Sequence, residues 1–493
     1  MVNVPRAASS LLVCLVLAAT TAFASPFSDD LAARRARVME RLGPDTMLVL
    51  MSAPARAYSG DVDYEYRQDS NLYYLTGITQ EQTTLVLMPG NASKREVLFV
   101  KDRNPGQEHW TGAVLSRDEA RDQTGVSTVL SASVFDAFMS RMLSRRPYGA
   151  TFDEKESGAW FAALGAGRAR LALVIGESEL GAPLTPPQLF LQKVRDRFAG
   201  FVAVDVAPEL ATLRTVKTLY EVQTLTRAVD ISADAQKAGM RAAVPGAFEY
   251  QVKAAIEAVH RAEGAVSTAY PSIVASGPNA TTLHYPQDGR QIQSGDLVLV
   301  DAAANFGYEA ADITRTYPVS GTFTPAQRDI YELVLHAQEE AIKVAKPGTT
   351  LSAIHDRTVA VLKEGLLTLG LIADATGQQY AMWFTHGTSH FIGIDVHDVG
   401  SNRDILQPGM TFTIEPGLYI RQSVLDQLPA TDANRQLHAA LQAAVTKYNN
   451  IGVRIEDSFV MEAGGARSLS QSVPKSVKDV EDFMQHARAV TAR

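Results

Sequence analysis

The feature that most narrows the possible folds is a duplication in the second half of the chain. A helix ending at Pro245-Gly246 leads into an amphipathic helix over 248–261, then to His284 and the strand Gly295-Asp296-Leu297-Val298-Leu299-Val300-Asp301. The order then repeats. Thr324-Pro325-Ala326-Gln327 has the form of a capping box with proline at the first helical position. Its helix puts Ile330, Leu333, Val334, Ala337 and Ala341 on one face and ends at Pro347-Gly348. A further helix runs to about 369, followed by His386 and the strand Gly409-Met410-Thr411-Phe412-Thr413-Ile414-Glu415. In both copies the glycine of Pro-Gly precedes its histidine by 38 residues, and the strand glycine precedes its terminal acid by six. One such match could be chance; two with the same chemistry predict αβ half-domains related by a pseudo-twofold.

Each strand ends on a carboxylate, which is costly beside an apolar run unless something pairs with it. A second acid follows each: Asp312 in Asp312-Ile313-Thr314-Arg315-Thr316, and Glu456 in Arg454-Ile455-Glu456-Asp457-Ser458. A hairpin turn centred between Phe306 and Gly307 would set Asp301 directly across from Asp312, with facing Cβ atoms ~5 Å apart. Carboxylates that close repel unless a cation lies between them. The same logic joins Glu415 to Glu456. The segment from Phe384 to Asp398 adds His386, His390 and His397. Four acids with one imidazole suit two hard or borderline divalent ions better than a structural zinc. Such a pair of ions, ~3.5–4 Å apart, can activate water and polarise a carbonyl together.

The chain has 493 residues, too many for one ordinary core, so two domains are expected. Residues 28 to about 205 alternate between strands and helices, with buried strands at 47–51, 84–88 and 96–100. The boundary is placed at 205/206, before a long helix over 219–242, giving domains at 25–205 and 206–493. Net charge is −8 with no basic run, which argues against a nucleic-acid partner. Arg6, the apolar stretch 11–19 and Ala22-Phe23-Ala24 have the order of a cleavable leader over 1–24, with the mature chain starting at Ser25. Export to a periplasm or the medium is therefore expected, with no membrane partner for the mature form. The single cysteine, Cys14, lies in that leader, so thiolate chemistry and disulfides are excluded from the mature chain.

These motifs resemble those of bacterial aminopeptidase P, one of the pita-bread metallopeptidases with prolidase, methionine aminopeptidase and creatinase. The resemblance covers about 28–465. Its specific marks are Arg67-Gln68-Asp69-Ser70-Asn71-Leu72-Tyr73-Tyr74-Leu75-Thr76-Gly77, Leu283-His284-Tyr285, the Asp312 motif, the histidine segment, Glu415-Pro416-Gly417-Leu418-Tyr419 and Gly452-Val453-Arg454-Ile455-Glu456-Asp457. It implies an α/β (α+β) pita-bread C-terminal domain behind a creatinase/prolidase-type N-terminal domain. The implied activity removes an N-terminal residue from peptides with proline second. The implied ligands of two divalent ions, manganese first with cobalt or zinc as alternatives, are Asp301, Asp312, His390, Glu415 and Glu456. Glu415 doubles as general base, and His284 and His397 bind the scissile carbonyl. His386, Tyr419 and Arg454 line the substrate site. Trp110 matches a tryptophan that covers a neighbouring subunit's active site, which implies a homodimer or homotetramer.

Prolidase, which cleaves only Xaa-Pro dipeptides, is the runner-up. Its histidine segment usually has glycine at the place of Ser389, and its N-terminal motif is less like 67–77. A metal-free hydrolase or a binding protein on this fold should have lost ligands, and all five residues are present. The stretch between Glu415 and Glu456 looks longer than in the shortest relatives. Leu437, Ala440, Leu441 and Ala444 give it helical periodicity, in a position to shape access or subunit contacts.

Overall fold

The computed structural model describes residues 26–176 and 179–491. The expected leader over 1–24 lies outside the described residues. Among those described, no helix is long and apolar enough to cross a membrane.

The first domain is built on a six-stranded sheet in the order 128–131, 96–100, 84–87, 46–51, 169–173, 201–205. Strand Thr46–Met51 is antiparallel to Thr84–Leu87 and parallel to Ala169–Leu173. Its continuous apolar run reflects burial on both faces, since successive side chains point opposite ways. Leu48 and Leu50 enter the core that holds Leu72 and Tyr74, whereas Met47 and Val49 enter the one that holds Phe99 and Trp160. The motif at 67–77 is a short capped helix. Asp69 accepts hydrogen bonds from the N–H groups of Asn71 and Leu72 at 3.0 and 2.8 Å, and Gly77 closes the C-terminus at φ 64°. Helix Ala207–Thr215 begins just after the boundary at 205/206 and still packs Leu210 and Leu213 into the first core.

The second domain follows the duplicated plan. Helices Leu219–Ala242 and Pro325–Val344 both open on capping boxes, Thr218 with Glu221 and Thr324 with Gln327. Such an N-cap contributes about 1 kcal/mol. Each is followed by a turn with glycine in the left-handed region (Gly246 φ 89°, Gly348 φ 93°), then by Glu249–Ala262 or Leu351–Thr368. Strand Leu297–Asp301 pairs with Thr314–Pro318 in one half, and Thr411–Ile414 with Asp457–Glu462 in the other. The halves are not independent: Val252, Ile256 and Val298 share one core with Ile330, Val334, Leu362 and Val453.

The first hairpin corrects the expected register. Asn305 faces Ala310 and Phe306 faces Glu309, so the turn is centred on Gly307-Tyr308, and Asp301 faces Thr314 rather than Asp312. Both central residues have positive φ (55° and 67°), the hairpin turn whose twist matches its strands. Tyr308 tolerates this because its ring stacks on Tyr73 of the first domain, with centroids 3.9 Å apart.

Helix Asp432–Tyr448 fills the long stretch between the second pair of acids. Leu441, Val445 and Tyr448 are buried, Leu437 and Ala444 are partly buried against the shared core, and Ala440 of the expected stripe is exposed. The Lys447 ammonium and Tyr448 hydroxyl both bond Asp329 of helix Pro325–Val344. The insertion is thus clamped to the second half's long helix, and none of residues 421–450 lines either cavity described below.

Candidate metal centre

The two hairpins bring the four acids together where their ladders are interrupted. In the second half the register runs from Ile414↔Asp457 to Gly417↔Arg454, which sets Glu415 across from Glu456 as expected. In the first half Asp301 and Asp312 are joined by a side chain instead. The Tyr270 hydroxyl lies 2.5 Å from Asp301 Oδ1 and 2.7 Å from Asp312 Oδ1, its one proton shared between them. Tyr270 was missed in the sequence. It precedes strand Ile273–Ser276, which pairs with the Asp301 strand, but carries no motif of its own.

His390 points into the middle of the acids. Its Nε2 is 3.4 Å from Asp312 Oδ2, 3.5 Å from Glu415 Oε1 and 3.9 Å from Glu456 Oε1. Nδ1 is 3.1 Å from the Phe391 carbonyl, which anchors the ring with Nε2 facing the carboxylates. One ligand atom each from Asp312, His390 and Glu456 falls within 4.8 Å of the others, a grouping that could hold a metal ion.

The electrostatics point the same way. Burial first, and the neighbouring acids with it, raise the Asp301, Glu415 and Glu456 carboxyls against the opposing charge of Arg454, leaving Glu415 at about 7. Burial alone would lower His390, yet its hydrogen bond to Asp312 and the charges of Glu415 and Asp312 push it up to about 9. A cluster that holds extra protons is short of positive charge. Divalent cations supply that charge by displacing those protons, so the donor set fits them.

Among the described residues, one guanidinium joins His390 in reaching the acids directly. Buried Arg454 donates from Nη2 to Asp301 Oδ2 at 2.6 Å and from Nη1 to the Tyr419 hydroxyl at 2.9 Å. Tyr419 in turn lies 2.9 Å from His386 Nε2, and His386 Nδ1 is 2.7 Å from the Gly387 carbonyl. Burial, and then the Arg454 charge, push His386 down to about 3, so the ring is neutral and accepts from Tyr419. Thr314, which faces Asp301, donates to Glu456 Oε2 at 2.6 Å and so links the two hairpins. Arg315 Nη2 pairs with Asp457 at 2.6 Å, and its Nη1 donates to the Glu456 carbonyl.

A cavity of about 330 Å³ opens over the acids, with Leu283, His284, His386, Ser389 and His397 in its wall. A second, of about 350 Å³, shares His284, His397, Asp301 and Asp312 and extends past Tyr270, Tyr285 and Pro286. His284 and His397 stand at the exposed junction of the two. The first domain holds the histidine segment in place. Arg67 donates to the Ile394 carbonyl, and Ser70 to Asp395. Arg214 reaches Asn71, Asp395 and Asp398, and Lys217 pairs with Asp398 at 2.6 Å. These links are long-range and carry no local sequence signal. Trp110 is not brought to this site: it is 85 % exposed, on a helix with no buried residue.

Residues 223–463 match the model of metallopeptidase family M24, and residues 31–150 that of the aminopeptidase P N-terminal domain. The Xaa-Pro aminopeptidase of Haemophilus influenzae is 32% identical over 460 residues, covering 92% of this chain and 96% of its own. The chain belongs to the aminopeptidase P group of family M24. The Escherichia coli Xaa-Pro aminopeptidase is also 32% identical, over 92% of this chain and 97% of its own. Among solved structures, Pseudomonas aeruginosa aminopeptidase PepP superposes with a TM-score of 0.79 at 32% identity, covering 94% of this chain and 99% of that one. Zinc-substituted E. coli aminopeptidase P in complex with product gives 0.78 at 30% identity, with the same coverage. The pita-bread fold, the aminopeptidase P-type first domain and a dependence on divalent metal all follow from membership of this group.

Proposed function

We propose that this chain is a dinuclear metallo-aminopeptidase that cleaves an N-terminal residue from a following proline. The observation that carries the reading is the convergence of four acids and His390 beneath a cavity walled by three further histidines. Asp301, Asp312, His390, Glu415 and Glu456 are the assigned ligands, the residues that would hold the ions. One nitrogen against four oxygen donors favours manganese, with cobalt or zinc as substitutes. The bound ions supply a polarised carbonyl and water of lowered pKa.

The chain's own residues do the rest. A bond to proline is a tertiary amide with no N–H, so a peptidase that grips that N–H has no handle. Here His284 and His397, at the mouth, bind the scissile carbonyl oxygen and stabilise charge developing on it, each worth ~2.7–4 kcal/mol as a well-placed donor. Glu415 takes the proton of the attacking water and delivers it to the leaving prolyl nitrogen. The chain Arg454–Tyr419–His386 forms a fixed wall for the proline side, with neutral His386 at its end. Exposed Trp110 reaches the site of a neighbouring subunit in a homo-oligomer; full activity of a solution monomer would refute that role.

The named relatives favour an aminopeptidase over a dipeptidase. Steady-state kinetics on an Xaa-Pro dipeptide and an Xaa-Pro-Xaa tripeptide, with manganese restored after chelation, test the choice. The tripeptide is expected to have the higher kcat/KM; turnover confined to the dipeptide would make the enzyme a prolidase, and turnover that survives complete chelation would refute the metal mechanism.

A further inference from the structure

In each half of the second domain the hairpin ladder breaks where its acids lie. Strands Leu297–Asp301 and Thr314–Pro318 belong to one sheet, while Ala304–Phe306 and Glu309–Ala310 belong to another. The second half divides in the same way, with Thr411–Ile414 and Asp457–Glu462 on one side and Gly417–Ile420 and Ile451–Arg454 on the other. Backbone bonds still cross the breaks, from Ala302 N–H to the Ile313 carbonyl at 3.3 Å and from Ile455 N–H to the Pro416 carbonyl at 3.2 Å, but a thinned ladder holds its two strands less firmly and satisfies buried carbonyls less fully.

A glutamine from the long helix fills each break. Gln236 Nε2 donates to the Ala302 and Ile313 carbonyls at 3.1 and 2.9 Å. Gln338 Nε2 donates to the Ile414 and Ile455 carbonyls at 2.9 and 3.2 Å, and also lies 3.2 Å from Asp457 Oδ2 on the same strand side as Ile455. Both side chains are completely buried. In the first half the bonded carbonyls belong to the residues just after Asp301 and Asp312; in the second, to those just before Glu415 and Glu456. The two glutamines are 102 residues apart, the same offset that separates Gly246 from Gly348 and His284 from His386. They therefore occupy one position in the two repeats. A primary amide has two N–H groups, and here each serves a different strand of the hairpin. That geometry ties the two backbones together at the level of the acids.

We propose that Gln236 and Gln338 are positioning residues that preset the spacing of Asp301 with Asp312 and of Glu415 with Glu456 before any ion binds. Neither touches an assigned ligand side chain; each acts through the backbone beside it. The proposal rests on the ligand assignment above. Methionine has nearly the shape of glutamine and none of its donors, so Gln236→Met and Gln338→Met remove the tie and keep the packing. Apo-protein is titrated with Co²⁺ and followed by visible absorption, with circular dichroism and melting temperature of the apo form as the structural control.

The expected result is folded apo-protein with Co²⁺ affinity 10–100-fold weaker and an altered absorption band in each variant. Wild-type affinity and spectrum in folded variants would overturn the proposal. Failure of the unsubstituted protein to take up Co²⁺ would instead overturn the ligand assignment. If Gln338→Met does not fold, Lys475→Met is the milder variant. It removes the ammonium that donates to Gln338 Oε1 at 3.0 Å and to Asp457 Oδ2 at 2.8 Å, leaving the amide held only from its Nε2 side while Arg315 still pairs with Asp457. It must shift the same band, and an unchanged band would overturn the role of Gln338.

Discussion

Replacing Arg454 by methionine should destabilise the metal-free protein far more than the metal-loaded one. Among the described residues the guanidinium is the one Lys or Arg side chain in direct contact with the acids, 2.6 Å from Asp301, and both partners are buried. Removing one member of a buried ion pair costs about 3–5 kcal/mol, because the other charge is left without compensation. In a domain of this size that corresponds to a melting-temperature loss of roughly 5–8 °C. Asp301 would recover part of the loss by taking up a proton, its carboxyl already being raised by burial. With divalent ions present, Asp301 has a second source of positive charge, so the loss should fall below half of the metal-free value. Linkage then requires the variant to gain more stability from metal than the parent does. The assay is thermal unfolding of both proteins in chelator and in saturating Mn²⁺, read at the transition that reports the second domain. Equal losses with and without metal would refute the idea that Arg454 and the ions share the work of neutralising Asp301.

Three other outcomes are expected. His397→Ala should keep nearly full metal content and lose on the order of 10²–10³ in kcat, whereas His390→Ala should lose metal first and recover partly in excess Mn²⁺; metal analysis beside kcat separates them. Burial would raise Asp395, but the Arg214 charge and the hydrogen bonds from Arg214, Ser70 and Arg67 hold it below its ordinary value of 3.8. Its contribution is therefore present above about pH 4 and lost as pH falls through the lowered value, so the melting-temperature gap between the parent and Asp395→Asn should close on acidification, and salt should narrow it. Material recovered from the periplasm or medium should begin near Ser25 on N-terminal sequencing; a cytoplasmic product with Met1 retained would remove the basis for the leader.

Much of this architecture could be read from local sequence because the relevant signals are local. The capping box at Thr324, the Pro-Gly turns and the acids ending apolar strands state their conformations within a few residues, and the repetition of the turns and acids revealed the two halves. The register of the first hairpin was not readable in that way. Gly307-Tyr308 is an unusual pair for a turn with two positive φ values, and the ring that makes it tolerable, Tyr73, lies in the other domain. Tyr270 was hidden for a similar reason, since nothing near it indicates that its hydroxyl bridges two acids distant in sequence. Gln236 and Gln338 are different. Their shared offset was present in the sequence, but an uncharged side chain inside a helix attracts no notice when chemistry is sought among acids and histidines.

The distribution of the acids between two halves governs when the site can come into being. Asp312 and Glu456 are separated by 144 residues, and Glu415 lies between them. No partial chain ending before Glu456 contains all four acids. Loops of that length close late in folding, after nearby helices have formed and packed. An ion captured only at the end cannot hasten the earlier steps, so bound metal should lengthen the lifetime of the finished molecule and leave its rate of formation almost unchanged.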